Sequence, residues 1–279
     1  MLIALTNLSS NKVSQTRPDS VKEFYESKTW KFHHVTNVYE RARLRDISEF
    51  LSPNSTDIVL DEGCGGGTYT EHLAKFSTVI ASDISRNALA NAQASLRRLS
   101  NRIHFIVCDI EHLPLRNNIV DKIACVDILE HVMNVNRSIL EIARVLKTSG
   151  RVLIFTACGN NRLTLEYVLR PVLGELLELI RSKFGHIQIF TTQDLLSLLS
   201  PQFVIVKTEY MHHWLGWFLK FLSDVAHLGV PQPQLVAQMS NESAYSFLSR
   251  LIWLILDAEH RLLKRVSSGT EITISASKR

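Results

Sequence analysis

Residues 61–67 read Asp-Glu-Gly-Cys-Gly-Gly-Gly, so four of the chain's eleven glycines fall in one short window behind two carboxylates. The window lies between a β-rich run and a helical pattern. Glycine there lets the backbone take unusual dihedrals and lets a ligand approach without a Cβ in the way. A nucleotide cofactor at the carboxyl end of a first strand is the natural reading, and a tight turn with no ligand is its competitor. The register narrows the choice. A GxGxxG fingerprint begun at Gly63 or Gly65 would need glycine where Thr68 or Thr70 stands, and no GKS or GKT follows, so a P-loop is excluded. Asp61 and Glu62 would repel a pyrophosphate and suit a cationic ligand. S-adenosylmethionine has that character: an amino group, a sulfonium and no phosphate.

Further along stand Asp83 in IASDIS, Asp109 in VCDIEHLPL, and Asp127, Glu130 and His131 in CVDILEHV. A carboxylate such as Asp83 can accept two O–H donors. His131 could serve as a base near neutral pH, although Glu130 and His131 could equally brace a strand-to-helix junction. The pairs His33–His34 and His212–His213 lack the i,i+4 spacing of a shared metal site, because adjacent helical side chains diverge. Surface or packing roles are expected for all four. Cys64, Cys108, Cys125 and Cys158 form no CxxC pair, which argues against zinc and against a disulfide framework, and no metal is expected. Cys125 reads as a buried thiol within a strand rather than a nucleophile.

The elements that position these groups follow from periodicity. Short β-rich runs at Asp57–Asp61, Thr78–Ser82, His104–Cys108, Lys122–Val126 and Arg151–Thr156 alternate with helical patterns at Thr68–Lys75, Ser85–Leu99 and Asn136–Lys147. That alternation is the mark of βαβ units and a parallel sheet. Thr68 with Glu71 reads as a capping box, Ser85 as an N-cap, and Gly150 as a position just past a helix end. Helical patterns near 20–29 and 36–51 precede the first strand. After Thr156 comes a helical stretch over 162–184, interrupted at Pro171, then a helix near 191–200 and a strand near 203–210. An apolar segment follows over 211–228, a PQPQ turn at 231–234 and a helix over 242–265. Glu271–Ser277 alternates as a half-buried strand.

The order of these landmarks resembles the class I S-adenosylmethionine-dependent methyltransferases, in the branch that includes quinone and sterol methyltransferases. DEGCGGG matches their D/E-x-G-x-G-x-G motif, and EIARVLKTSGRVLIFT at 141–156 resembles their passage into the fifth strand. The resemblance implies an α/β fold: a doubly wound, mostly parallel seven-stranded sheet with a reversed last strand, plus helical insertions. It implies S-adenosylmethionine as cofactor, held by Asp61, Glu62, Gly63, Cys64, Gly65 and Gly67. Asp83 with Ile84 would take the ribose, and Asp109 with Ile110 the adenine; Asp127 would complete the cofactor set. His131 is the catalytic candidate. The chain is expected to divide into a helical lid over 1–52 and a methyltransferase domain over 53–279, with insertions at about 158–187 and 211–268. Tyr25 and Tyr39 in the lid are candidates to close over the cofactor.

The acceptor is the open question, because about 60 residues separate Tyr210 from the closing strand where the family pattern is shorter. HHWLGWFLKFL at 212–222, with Phe247 and Trp253, could make an apolar acceptor pocket, a membrane-surface patch, a dimer interface or an extra packing layer. A small, hydrophobic acceptor (quinone-, lipid- or natural-product-like) is expected, with peripheral membrane contact. Nucleic acid is disfavoured: net charge is only +4 and no D/N-PP-Y/F follows the fourth strand. With no apolar run long enough to span a bilayer and no leader-like N-terminus, a cytoplasmic location is expected. A catalytically silent scaffold and a nicotinamide oxidoreductase stay open as alternatives.

Overall fold

The computed structural model describes residues 21–28, 30–35, 38–159, 161, 164–227, 254–266 and 269–279. A seven-stranded sheet forms the centre, in the order β3-β2-β1-β4-β5-β7-β6. Its strands are β1 (Ile58–Glu62), β2 (Thr78–Asp83), β3 (Ile103–Val107), β4 (Val120–Val126), β5 (Leu146–Ala157), β6 (Phe203–Met211) and β7 (Glu271–Lys278). The first five pair in parallel, and β7 runs antiparallel to both β5 and β6. The reversed closing strand is therefore present, at the place where the alternating Glu271–Ser277 stretch was expected.

The central strands are apolar on both faces because helices cover both. Val59 and Leu60 in β1 and Ile123, Ala124 and Cys125 in β4 are fully buried, and the buried side chains separate into one cluster on each side of the sheet. The covering helices are α1 (Val21–Glu26), α2 (Val38–Asp46, continuing as a π-helical turn over Ile47–Leu51), α3 (Thr68–Leu73), α4 (Arg86–Ser95), α5 (Val135–Val145), α6 (Leu165–Phe184), α7 (Thr192–Leu199) and α8 (Leu215–His227). Residues 254–263 are also helical. Strands β1, β2 and β3 step one way across the sheet and β4 and β5 the other. A crevice therefore opens at the carboxyl ends of β1 and β4, where the chain reverses direction.

Several local expectations need correcting. Thr68 and Glu71 form no capping box: the N-cap is Gly67, Thr68 Oγ1 donates to the carbonyl of His33 at 3.2 Å, and Glu71 pairs with Arg98. The capping box lies instead at Thr191 and Asp194. Gly150 sits inside β5, which begins at Leu146 directly after α5, so residues 146–147 are strand and not helix. Pro171 does not interrupt α6; it faces outward, where water can satisfy the Tyr167 carbonyl that loses its donor. Ser85 is an N-cap as expected, accepting from Ala88 N at 3.1 Å. The side chain of Tyr39, the PQPQ turn and all of 242–253, Phe247 and Trp253 included, lie outside the described residues.

Candidate functional site

The turn after β1 is held by its own backbone. The N–H groups of Gly63 and Cys64 both donate to the Ser82 carbonyl, at 2.8 and 2.9 Å, and that of Gly67 donates to the Cys64 carbonyl at 2.9 Å. Gly63, Gly65 and Gly67 have φ of +73°, +52° and +90°, a region L side chains rarely adopt. The four glycines nonetheless serve different ends. A Cβ on Gly63 would fall 1.8 Å from Ile128 Cδ1, one on Gly67 2.8 Å from Leu96 Cδ1, and one on Gly66 2.6 Å from the Lys31 backbone. Only at Gly65 would it meet nothing within 4 Å, standing in open space. Three glycines thus make room for the protein itself, and Gly65 alone leaves a cradle a ligand can enter. Gly67 does not line the adjoining cavity.

That cavity, of about 460 Å³, is lined by Asp61, Glu62, Gly63, Cys64, Gly65, Asp83, Ile84, Asp109, Ile110, Asp127 and His131. The fold thus brings together every expected site residue except Gly67. Their roles differ from what sequence order suggests. Asp61 is buried and accepts from Thr70 Oγ1 at 2.5 Å, and burial pushes its carboxyl up to about 6. Glu62 turns to Ser82 Oγ, one strand over, and burial pushes it further, to about 8. Asp83 accepts the N–H of Gly65 on Oδ2 and that of Ser85 on Oδ1, each at 2.8 Å, leaving lone pairs of both oxygens for other donors. Asp109 is exposed and caps the 3₁₀ turn Ile110–His112 through the N–H of Glu111 at 2.9 Å. Cys64 packs in the core with its thiol pushed up by burial, so it is no nucleophile.

Beyond β4 the cavity continues into a charged floor that sequence reasoning missed. Asp127, at φ +55°, donates its N–H to the Phe155 carbonyl at 2.8 Å. Its carboxylate meets Arg43 Nη2 of α2 at 3.1 Å, and the same nitrogen reaches Glu271 of β7 at 3.5 Å. Glu271 also pairs with His212 Nε2 at 2.8 Å and lies 4.0 Å from Lys220 Nζ. Burial alone would raise Glu271, but His212 and Arg43 hold it well below the usual carboxylate range. No local sequence signal marks this network, because its members come from α2, β4, β6, α8 and β7. Glu130 is buried and accepts from Thr156 Oγ1 at 2.7 Å; burial and Asp127 push it up to about 8.

His131 places Nδ1 3.0 Å from the Gly185 carbonyl and packs edge-on against Tyr25 and His186. Burial lowers both imidazoles, His186 to about 3, so both are neutral near pH 7. One donor atom each of Glu130, His131 and His186 lies within 4.8 Å of the others, a set able to hold a divalent ion that the sequence spacing did not suggest. The walls above are apolar: Leu177, Ile180 and Phe184 of α6, and the stacked pair Trp217–Phe221 of α8.

A strap covers the glycine-loop side of the cavity. Glu26 at the end of α1 accepts from Arg86 N at 2.9 Å, capping α4 from outside, and Asn91 Nδ2 donates to the Trp30 carbonyl at 3.1 Å. The backbone of Lys31 then crosses Gly66, and Tyr25 and Trp30 line the cavity.

Comparison with known proteins agrees with this geometry. Residues 60–154 match the family described as "Methyltransferase domain". The ubiquinone biosynthesis O-methyltransferase of Rickettsia canadensis is 31% identical over 138 residues, which is 48% of this chain and 57% of that protein. Its namesake in Nitrosomonas europaea is 32% identical over 136 residues, 46% of this chain and 58% of that one. The match thus spans little more than half the length of these curated relatives. Among solved structures, geranyl diphosphate C-methyltransferase from Streptomyces coelicolor, in complex with Mg2+, geranyl diphosphate and S-adenosyl-L-homocysteine, superposes with a TM-score of 0.62 at 16% identity, covering 93% of this chain and 97% of that one. Phosphoethanolamine N-methyltransferase 2 of Haemonchus contortus, in complex with S-adenosyl-L-methionine, gives 0.58 at 18% identity, covering 93% and 56%. At such identities the likeness is one of fold. The match over residues 60–154 and the shared fold support a class I S-adenosylmethionine-dependent methyltransferase domain.

Proposed function

We propose that this member of the family transfers a methyl group from S-adenosylmethionine to a small acceptor with a largely apolar body and one polar, reacting end. The observation that carries this reading is the single cavity that runs from the Gly65 cradle to the walls of α6 and α8. Its volume of about 460 Å³ lies in the range of small-molecule and cofactor sites.

The donor set fits the cofactor. Gly65 leaves the space a Cβ would fill, Asp83 keeps lone pairs for a pair of hydroxyls, and Ile84 and Ile110 offer apolar contact. The acid-rich surroundings of Asp61, Asp83 and Asp109 suit a cation. When bound, S-adenosylmethionine supplies an activated methyl on its sulfonium. The chain's own task is to align the acceptor, exclude water and remove a proton where one must leave. The strap from Tyr25 to Lys31 and the walls of α6 and α8 exclude water. His131, with Nδ1 on the Gly185 carbonyl, is set in the tautomer whose lone pair lies on Nε2, so it takes up a proton there.

The apolar acceptor reading is supported by Leu177, Ile180, Phe184, Trp217 and Phe221, and by further exposed apolar side chains on α8, among them Phe218 and Leu222. Exposed Phe218 and Leu222 support a reading in which α8 also touches a lipid surface; no described helix is long and apolar enough to cross a membrane. Sedimentation with liposomes tests the contact, and a fraction that stays wholly in the supernatant would remove it.

The test of the main reading is thermal shift with S-adenosylmethionine, S-adenosylhomocysteine and NAD(H). Stabilisation by the two sulfur nucleotides is expected. Stabilisation by NAD(H) alone would overturn the reading in favour of an oxidoreductase. Labelled methyl donor with metabolite extracts then identifies the acceptor, and an intact cofactor response with no labelled product from any extract would favour a silent scaffold.

A further inference from the structure

We infer that Asp46, Glu209 and His260 form a second, buried site, away from the cofactor cavity, that takes a divalent transition-metal ion, zinc by its donor set. One carboxylate oxygen of Asp46, one of Glu209 and one ring nitrogen of His260 lie within 4.8 Å of one another. The three come from separate elements: the end of α2, strand β6 and the helix at 254–263. All three are buried, with Asp46 and Glu209 at 1% exposure and His260 at 7%.

The second observation is the state of the imidazole. Neither ring nitrogen of His260 makes a hydrogen bond, and its Nε2 lies 3.9 Å from Glu209 Oε2. A buried polar atom left without a partner keeps the full cost of its lost hydration, so a histidine with two such atoms calls for a ligand.

An ion here would replace cations that now neutralise the two carboxylates. Lys207 and Lys264 both approach Glu209 Oε1, at 2.8 and 3.1 Å, leaving Oε2 turned to the histidine. Arg45 approaches Asp46 Oδ1 at 3.4 Å. These cations reach inward from the surface, with side chains 27–37% exposed, so an ion can displace them into water at the modest cost of part-exposed pairs. Zinc–nitrogen and zinc–oxygen bonds of about 2.0–2.2 Å put ligand atoms roughly 3.4 Å apart, so rotamer shifts of about 1 Å close the site. A cavity of about 100 Å³, lined by Arg45, His213, Asp257 and His260, leaves room for water as a fourth ligand. Asp46 lies one turn beyond Arg43 on α2, so an ion here would also fix the helix that carries Arg43 to the floor of the cofactor cavity.

The full-length chain, stripped with chelator, is loaded with zinc and desalted, and bound zinc is measured by mass spectrometry in wild type, His260→Gln, Asp46→Asn and His186→Gln. We expect zinc in the wild type and in His186→Gln, lost in the other two, together with a zinc-dependent rise in Tm that follows the same pattern. No zinc in the wild type, or zinc unchanged in His260→Gln, overturns the proposal. X-ray absorption on zinc-loaded wild type serves if a variant misfolds: one imidazole in the shell supports this site, and two would place the ion at Glu130, His131 and His186 and overturn it.

Discussion

The N–H of Gly65 donates to Asp83 Oδ2 at 2.8 Å, tying the tip of the glycine loop to the end of the neighbouring strand. One carboxylate therefore both shapes the cradle and faces what enters it. Asp83→Ala should abolish stabilisation by S-adenosylhomocysteine. Asp83→Asn, which keeps one acceptor oxygen, should retain a weaker response. Each hydrogen bond to a charged group contributes about 1.5–3 kcal/mol, so an affinity loss of roughly 100-fold or more is expected for the alanine variant in calorimetry. Equal affinities for wild type and Asp83→Ala would show that the ligand lies elsewhere.

Neighbouring glycines should fail in different ways. Gly66→Ala forces a Cβ against the backbone of Lys31 and should lift the strap, raising trypsin cleavage after Lys28 and Lys31 severalfold. Gly65→Ala meets no protein atom and should leave cleavage unchanged while weakening cofactor binding, with about 1 kcal/mol of backbone strain at φ +52°. Identical protease patterns for the two variants would contradict the division of roles.

Glu62 gives a pH signature with a definite sign. Its folded carboxyl is pushed up to about 8, against an unfolded value of 4.5. The unfolded chain releases this proton above pH 4.5 while the folded chain keeps it, so the group's contribution to stability declines from pH 4.5 to about 8. Glu62→Gln removes that decline and should raise Tm at pH 8.5 by about 2–4 °C, with little change near pH 4.5. A Tm difference that does not change between these pH values would show that Glu62 ionises normally in the fold.

Arg43 neutralises Asp127 and Glu271 at once, from a side chain 16% exposed. Arg43→Met leaves buried Glu271 and part-exposed Asp127 facing each other and should destabilise the fold by about 1.5–3 kcal/mol in urea unfolding at pH 7. The loss should shrink toward acid pH, where the carboxyls protonate. A loss below 1 kcal/mol at pH 7 would mean that water enters and screens the cluster.

The parallel sheet and the loop at 61–67 were legible because they depend on local repeats: buried strands as apolar runs, helices at their own period, glycine where φ is positive. The alternation at Glu271–Ser277 marked a last strand, and its reversed direction came from the family resemblance alone. Corrections arose where a short pattern met a tertiary partner. Thr68 and Glu71 have the spacing of a capping box, but the strap takes the hydroxyl of Thr68 and Arg98 takes the carboxylate of Glu71. Gly66 reads like its neighbours in the loop, and only the backbone of Lys31 above it shows why no larger residue fits.

The sequence by itself determined where the proposed cofactor residues stand, since Gly63, Gly65, Asp83 and Asp109 each lie at a fixed offset from a strand end and strand ends can be read from one segment at a time. The tertiary structure alone decided the floor and the walls beyond it. Arg43, Asp127, Glu271 and His212 are far apart in the chain, and so are Ile180 and Trp217. Their electrostatics and packing exist only once α2, β7, α6 and α8 close around one space, because charge and apolar contact act across distances that no sequence spacing records.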